Sequence, residues 1–376
     1  MTDEFVDHTD AATRRGAARQ EPAAHHGSFL NNAWYPASWA ENLAHKPLER
    51  LVCGRKLVLW RTEDGNPTAL SGLCPHRFAA LARGQLLPGD RLQCPYHGIE
   101  YGADGRCVHN PHGPAPKTLA LTPYAAVERH SLIWVWIGDR ERADPELIPD
   151  FSCLTDPNYY TIRGELVTEA NFELVTDNLL DLSHVAYLHK DGLGSDAVAA
   201  GRHSVSRSGT TIWSNRWCPD GDASPVWGAL YTNFKRPDFQ GKVDHWLNMR
   251  WDAPAAMLLD VGIAPAGQDR SVGITAWGAH ILLPETETST RYFWAAARDF
   301  ALDTDHPDAG LRAAIEKAFI EEDKPMLQEI QSNLGGRRFE ELGPVILSFD
   351  AGAVQARRLL ADLRNGRKSL QPMAAR

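Results

Sequence analysis

Two short stretches of this sequence pair a cysteine with a histidine: Cys74-Pro75-His76 and, seventeen residues further on, Cys94-Pro95-Tyr96-His97. Each offers one thiolate and one imidazole. That donor set suits a [2Fe-2S] centre in which one iron keeps two sulfurs and the other takes two nitrogens, which raises the potential above that of an all-cysteine cluster and favours electron relay. Tetrahedral zinc accepts the same four side chains, but zinc fingers pair cysteine with cysteine across a short gap and carry both histidines later, on a helix. The mixed pairs therefore favour the cluster. Gly72, Gly98 and Gly102 flank the two loops, where a cluster needs close backbone approach and amide donors to its sulfurs. Tight turns alone account for them equally well. Cys53, Cys107, Cys153 and Cys218 have no histidine partners and read as buried small hydrophobes.

A second constellation lies between Glu173 and His189. Asn178, Asp181, His184 and His189 recur at gaps of three, three and five, so they line one side of a helix that loosens near its end. Polar groups interrupting an apolar face need partners, so the run is either a hydrogen-bond network or a metal site. Two imidazoles and a carboxylate on one face, with open positions opposite, make the ligand set of Fe(II) oxygenases. The carboxylate must come from elsewhere. Glu321-Glu322-Asp323, in a second helical stretch, is the candidate, although an acidic run also suits a solvated helix face.

The elements that must position these residues fall into two domains. Residues 29–140 carry short β-branched and aromatic runs between turns such as Glu63-Asp64-Gly65-Asn66-Pro67, which predicts a small all-β domain. Arg140 to Pro149 reads as a linker. Residues 150–365 form an α+β domain: Glu169 to Leu188 is helical in pattern, Val205 to Leu283 alternates like an antiparallel sheet, and Leu311 to Leu334 reads as one long helix. Strands are expected at Trp213 to Trp217, His245 to Trp251, Met257 to Ile263, Ile274 to Leu283 and Tyr292 to Ala297. The 376 residues are 43% hydrophobic and 23% charged, with no apolar run long enough for a membrane span. A net charge of −9 without a basic stripe argues against nucleic acid. Residues 1–28 read as a polar, disordered arm without a signal-peptide core, which places the protein in the cytoplasm. Six cysteines are too few for a disulfide scaffold.

With these residues in hand, the sequence resembles the Rieske non-haem iron oxygenases, in particular the vanillate and dicamba O-demethylase-like group of oxygenase components. The likeness runs from Asn32-Ala33-Trp34-Tyr35-Pro36 through Glu322-Asp323-Lys324. It implies that Cys74, His76, Cys94 and His97 hold a Rieske [2Fe-2S] cluster. His184, His189 and Asp323 would hold a mononuclear Fe(II), with Glu322 the fallback carboxylate. Asn178 and Asp181 belong to the same motif, and Asp181 resembles the acid that links an iron-ligand histidine to a cluster histidine, here His97, of the neighbouring subunit. A head-to-tail C3 homotrimer follows from that link.

The implied reaction takes electrons from NAD(P)H through a separate flavin reductase, with or without a ferredoxin, because the chain has no dinucleotide fingerprint of its own. With O2 as co-substrate, it hydroxylates an O- or N-alkyl carbon of a small aromatic, and the product collapses to an aldehyde and a dealkylated aromatic. The alternatives are a ring-hydroxylating dioxygenase giving a cis-dihydrodiol and a stand-alone Rieske electron carrier. His280 stands where a polar substrate contact is expected. Leu259 and Ala314 stand where relatives acting on aromatic acids carry polar or indole donors, which points to a neutral anilide or aryl ether.

Overall fold

The structure is a computed structural model that describes residues 28–372, so all but the last residue of the arm expected over 1–28 lies outside the described residues. In the N-terminal domain the turn-punctuated runs become eleven short strands: β1 (Ala33–Trp39), β2 (Leu48–Val52), β3 (Arg55–Arg61), β4 (Pro67–Ser71), β5 (Gln85–Leu87), β6 (Arg91–Gln93), β7 (Glu100–Tyr101), β8 (Cys107–His109), β9 (Pro123–Tyr124), β10 (Ala126–Arg129) and β11 (Leu132–Ile137). They pair as three antiparallel sheets, ordered β1-β11-β10, β2-β3-β4-β9 and β5-β6-β7-β8. The Cys74 loop follows β4 and the Cys94 loop joins β6 to β7. Beneath both loops Val58, Trp60, Leu70, Leu92 and Tyr101 form a small core of their own.

Residues β1 and β11 contribute instead to the large core shared with the second domain. Main-chain bonds stitch the two domains: Cys53 N–H donates to Pro284 O (2.7 Å) and Gly54 N–H to Glu285 O (2.8 Å). Trp39 Nε1–H adds a bond to Gly164 O (3.1 Å). The stretch expected as a linker is packed rather than loose. Two short 3-10 turns, capped by the Asp139 and Asp144 side chains, run through it, and Ile148 behind them is buried.

The second domain is built on a seven-stranded antiparallel sheet. Its strands are β12 (Tyr160–Thr168), β13 (Arg202–Ser208), β14 (Thr211–Gly221), β15 (Val243–Asp252), β16 (Ala256–Pro265), β17 (Ile274–Thr286) and β18 (Ser289–Arg298), in the order β12-β18-β17-β16-β15-β14-β13. Every strand expected from the alternation is present. The helices are α1 (Phe172–Leu180), α2 (Val185–Leu188), α3 (Asp196–Ala200), α4 (Pro225–Phe234), α5 (His306–Glu316), α6 (Lys324–Leu334) and α7 (Ala351–Arg364).

Three local features depart from the expected pattern. Helix α4 interrupts the alternating stretch; Pro225 at its first turn follows Ser224, a start that needs no N–H from the ring. The helix expected over Glu169 to Leu188 stops at Leu180, because Asp181 leaves helical geometry and its carboxylate accepts the Ser183 N–H (2.9 Å), turning the chain before α2 begins. The helix expected over Leu311 to Leu334 is α5 and α6 joined by a π turn, Lys317–Asp323. Pro325 has no N–H to give to the α-helical ladder, and the helix loosens just before it. Helix α7 backs α1: Arg357 binds the Asp177 carboxylate with Nε and Nη2, at distances down to 2.6 Å, and reaches Glu173 at 3.1 Å.

Candidate active site

The two Cys/His loops are built alike. Cys74 N–H donates to Ala79 O (3.0 Å) and its carbonyl accepts Phe78 N–H (2.8 Å); Cys94 N–H donates to Ile99 O (2.8 Å) and its carbonyl accepts Gly98 N–H (3.1 Å). The fourth residue after each cysteine is left-handed, Gly98 at φ +68° and Phe78 at φ +58°. Glycine enters that region freely, whereas phenylalanine is strained there. Both cysteines are buried, while His76 is exposed and its ring centre lies 4.6 Å from that of half-buried His97. The Tyr101 hydroxyl lies 3.1 Å from Cys74 Sγ. Burial pushes the Cys74 thiol up, as does neighbouring Cys94, so a cationic centre beside it would be needed to favour its thiolate. The residues fit a cluster with its sulfur end inside and its nitrogen end at the surface.

In the second domain, His184, His189 and Asp323 bring their donor atoms within 4.8 Å of one another, the one such group of three among the described residues. His184 Nε2 is 3.6 Å and His189 Nε2 3.3 Å from the Asp323 carboxylate. The opposite nitrogens are tied back: His184 Nδ1 bonds the Asp181 main-chain carbonyl, and His189 Nδ1 bonds Glu322 Oε2 at 2.6 Å. Asn178 Nδ2 donates to Asp323 Oδ1 (3.0 Å). Burial opposes a charge on His189, but Asp323 and Glu322 outweigh it and raise its pKa. Two imidazoles presenting Nε2 and one buried carboxylate, each fixed by an outer partner, fit a divalent iron.

The π turn is what delivers both acids. Asp323 joins the histidines, and Glu322 reaches behind His189 instead of serving as a ligand. Asp181 sits differently from the expectation drawn for it. Its carboxylate accepts the Ser183 N–H and hydroxyl, and its contact with His184 runs through the main chain.

A cavity lined mainly by apolar side chains opens beside these residues. Its floor is one face of the sheet, where side chains two apart along a strand point the same way: Leu247 and Met249 on β15, Leu259 and Val261 on β16, Ala276 and Gly278 on β17. Leu311, Ile315 and Phe319 close the roof at helical spacing. No Lys or Arg is among the lining residues. His280 lines the cavity with Nε2 unpartnered among the described residues, while Nδ1 bonds the Tyr292 hydroxyl. Burial pushes its pKa down to about 4, so the ring is neutral. Leu259 lines this cavity, but Ala314 lines an adjoining cleft with His189, Lys317 and Glu322. Trp227 and His245, not singled out from the sequence, also face the cavity. The period-two run from His245 through Leu247 to Met249 carries the signal for the latter.

A cluster-binding β domain joined to a two-histidine, one-carboxylate pocket under an apolar cavity defines the oxygenase component of an electron-fed iron enzyme. Residues 33–124 match the Rieske [2Fe-2S] domain, and residues 168–366 match the vanillate O-demethylase oxygenase C-terminal domain. The chain belongs to the Rieske non-haem iron oxygenases of the vanillate and dicamba O-demethylase group. It is 41% identical to the oxygenase component of chloroacetanilide N-alkylformylase from Rhizorhabdus wittichii, over 88% of this chain and 94% of that one. The oxygenase component of dicamba O-demethylase from Stenotrophomonas maltophilia is 38% identical, over 89% and 98%. A crystal structure of dicamba monooxygenase bound to 3,6-dichlorosalicylic acid superposes with a TM-score of 0.84 at 38% identity, covering 90% of this chain and 99% of that one.

Proposed function

We propose that this chain is the terminal oxygenase of a multicomponent monooxygenase that removes an O- or N-alkyl group from a neutral aromatic, such as an anilide or aryl ether, as an aldehyde. The observation that carries the choice of substrate is the cavity lining. A carboxylate there would meet no Lys or Arg among the described residues, only walls made mainly of aliphatic and aromatic carbon. The similarity to a chloroacetanilide N-alkylformylase supports the same reading. Overall, one atom of O2 leaves in the aldehyde and the other as water, consuming two electrons and two protons.

Cys74, His76, Cys94 and His97 would hold the [2Fe-2S] cluster, and His184, His189 and Asp323 the iron; when bound, the cluster supplies single electrons and the iron supplies oxygen activation. The chain's own residues then have distinct tasks. Glu322 fixes the His189 tautomer, Asn178 orients the Asp323 carboxylate, and the Asp181 carbonyl turns His184 Nε2 inward. The apolar walls exclude water, and His280 offers a neutral polar contact. Electrons come from NAD(P)H through a separate reductase, with or without a ferredoxin, in keeping with relatives described as oxygenase components.

The active assembly is a head-to-tail homotrimer in which His97 faces the partner subunit's Asp181. Exposed Phe78 and Tyr96 beside the cluster loops, and Tyr187 at 75% exposure beside the iron ligands, are apolar surface that such a neighbour covers. Cys53, Cys107, Cys153 and Cys218, outside the cluster loops and in no disulfide among the described residues, suit the cytoplasm. The test supplies a surrogate reductase and NADH and measures aldehyde release from N-alkyl anilides, aryl ethers and the matching alkoxybenzoates. Release from the neutral compounds is expected; a clear preference for the benzoates overturns the substrate assignment.

A further inference from the structure

His245 lies in mid-sheet on β15, on the same face as Leu247 and Met249, and lines the cavity beside Trp227, whose ring centre is 6.2 Å away. It is 1% exposed, and among the described residues neither ring nitrogen meets a hydrogen-bond partner. A neutral imidazole carries one donor and one acceptor, and burying both unmet opposes folding. Phenylalanine or leucine would fill this position without that penalty. Burial alone pushes the His245 pKa down to about 4, so the ring offers the cavity an N–H dipole and no charge.

The strand register places His245 well away from His280. His245 pairs with Ile263 on β16, and Ile263 pairs with Ile274 on β17, six residues before His280. At about 3.3 Å per residue the two histidines stand about 20 Å apart along the strand direction. Between them the floor is Leu247, Val261, Ala276, Leu259 and Gly278, with no hydrogen-bonding side chain.

We propose that His245 is a substrate-anchoring residue whose ring N–H donates to a neutral acceptor oxygen, an amide carbonyl or an ether, at the end of the cavity away from His280. This rests on the reading of the cavity as the site of a neutral alkyl aromatic. His245 is thereby a specificity determinant: it selects among neutral aromatics those that carry an acceptor, which an all-carbon wall does not distinguish.

The probes are an N-alkyl-N-acylaniline and its counterpart with the carbonyl reduced to methylene. Binding to the iron- and cluster-loaded protein is followed by quenching of tryptophan fluorescence, since Trp227 and Trp294 line the cavity, and KM and kcat by aldehyde release. The wild type is expected to prefer the acyl probe by about three- to tenfold, the value of one neutral hydrogen bond. His245→Phe removes that preference by weakening the acyl probe alone, chiefly through KM, and His245→Gln, which restores an N–H donor, recovers part of it. If the Phe variant is insoluble, His245→Leu is read in the same way. A wild-type ratio near one, a preference that survives in the Phe or Leu variant, or equal weakening of both probes overturns the anchor. Aldehyde release from either probe in those cases leaves the dealkylation reading standing, whereas tight, His245-dependent binding without aldehyde rejects the reaction and retains the anchor.

Discussion

Glu322→Ala isolates how much of the iron affinity comes from outside the ligand set. Glu322 Oε2 accepts from His189 Nδ1 at 2.6 Å, and His189 is 3% exposed. A hydrogen bond to a charged group contributes about 1.5–3 kcal/mol. The Glu322 side chain is 19% exposed and shares its other oxygen with Lys317 at 3.5 Å, which places this bond at the lower end, about 1.5–2 kcal/mol. At about 1.4 kcal/mol per tenfold, Fe(II) should bind about 10- to 30-fold more weakly, within the range usual for partners of metal-ligating histidines. Glu322→Gln keeps an acceptor oxygen and should lose only about threefold. Anaerobic Fe(II) titration against a competing chelator measures this, with the visible bands of the cluster as an internal reference for folding. Fe(II) affinity in Glu322→Ala within threefold of wild type refutes the reasoning.

Asp181→Asn keeps an oxygen for the Ser183 N–H and hydroxyl, so both metals should stay bound while turnover is lost; retained aldehyde release at full iron occupancy rejects the subunit link. Gly278→Ala brings a Cβ to 3.0 Å from His280 Nε2 and 3.5 Å from Leu259 Cβ, and kcat/KM should fall by about tenfold for the bulkiest ring-substituted substrates and little for the smallest; a uniform loss across the series contradicts this. His245 has a pKa lowered from 6.5 to about 4 in the fold, so below pH 6.5 the unfolded chain takes up a proton that the folded one refuses and stability falls as pH drops toward 4. The loss between pH 7 and 5 should be about 2 kcal/mol. Urea unfolding of His245→Phe at the two pH values should show that increment gone, and an unchanged pH dependence would exclude a neutral buried imidazole.

The metal-binding side chains were legible because chemistry restricts both their type and their spacing: Cys74 with His76, Cys94 with His97, and His184 with His189 lie close in sequence, and the resemblance supplied Asp323. The strands were legible because a sheet with one covered face alternates. What escaped depends on long-range geometry. The alternation from His245 to Met249 shows which residues share a face of the strand, but what that face borders is set by pairing with residues such as Ile263, eighteen positions later in the sequence. The break at Asp181 arises from a side-chain bond to Ser183 that competes with the helix. Ala314 lies one position before the roof residue Ile315, and the intervening helix rotation of about 100° turns it into the neighbouring cleft.

The π turn at Lys317–Asp323 holds more chain than an α-helix of the same rise accommodates. That surplus sets the phase between α5, which roofs the cavity, and α6, which carries no cavity residue. Shortening the turn by one amino acid after Phe319 leaves the roof in place but rotates everything after it by most of a quarter-turn, taking Asp323 off the histidines. The shape of the substrate chamber and the capture of its metal are therefore separable by a single deletion, and lineages can reshape the one through α5 without disturbing the other.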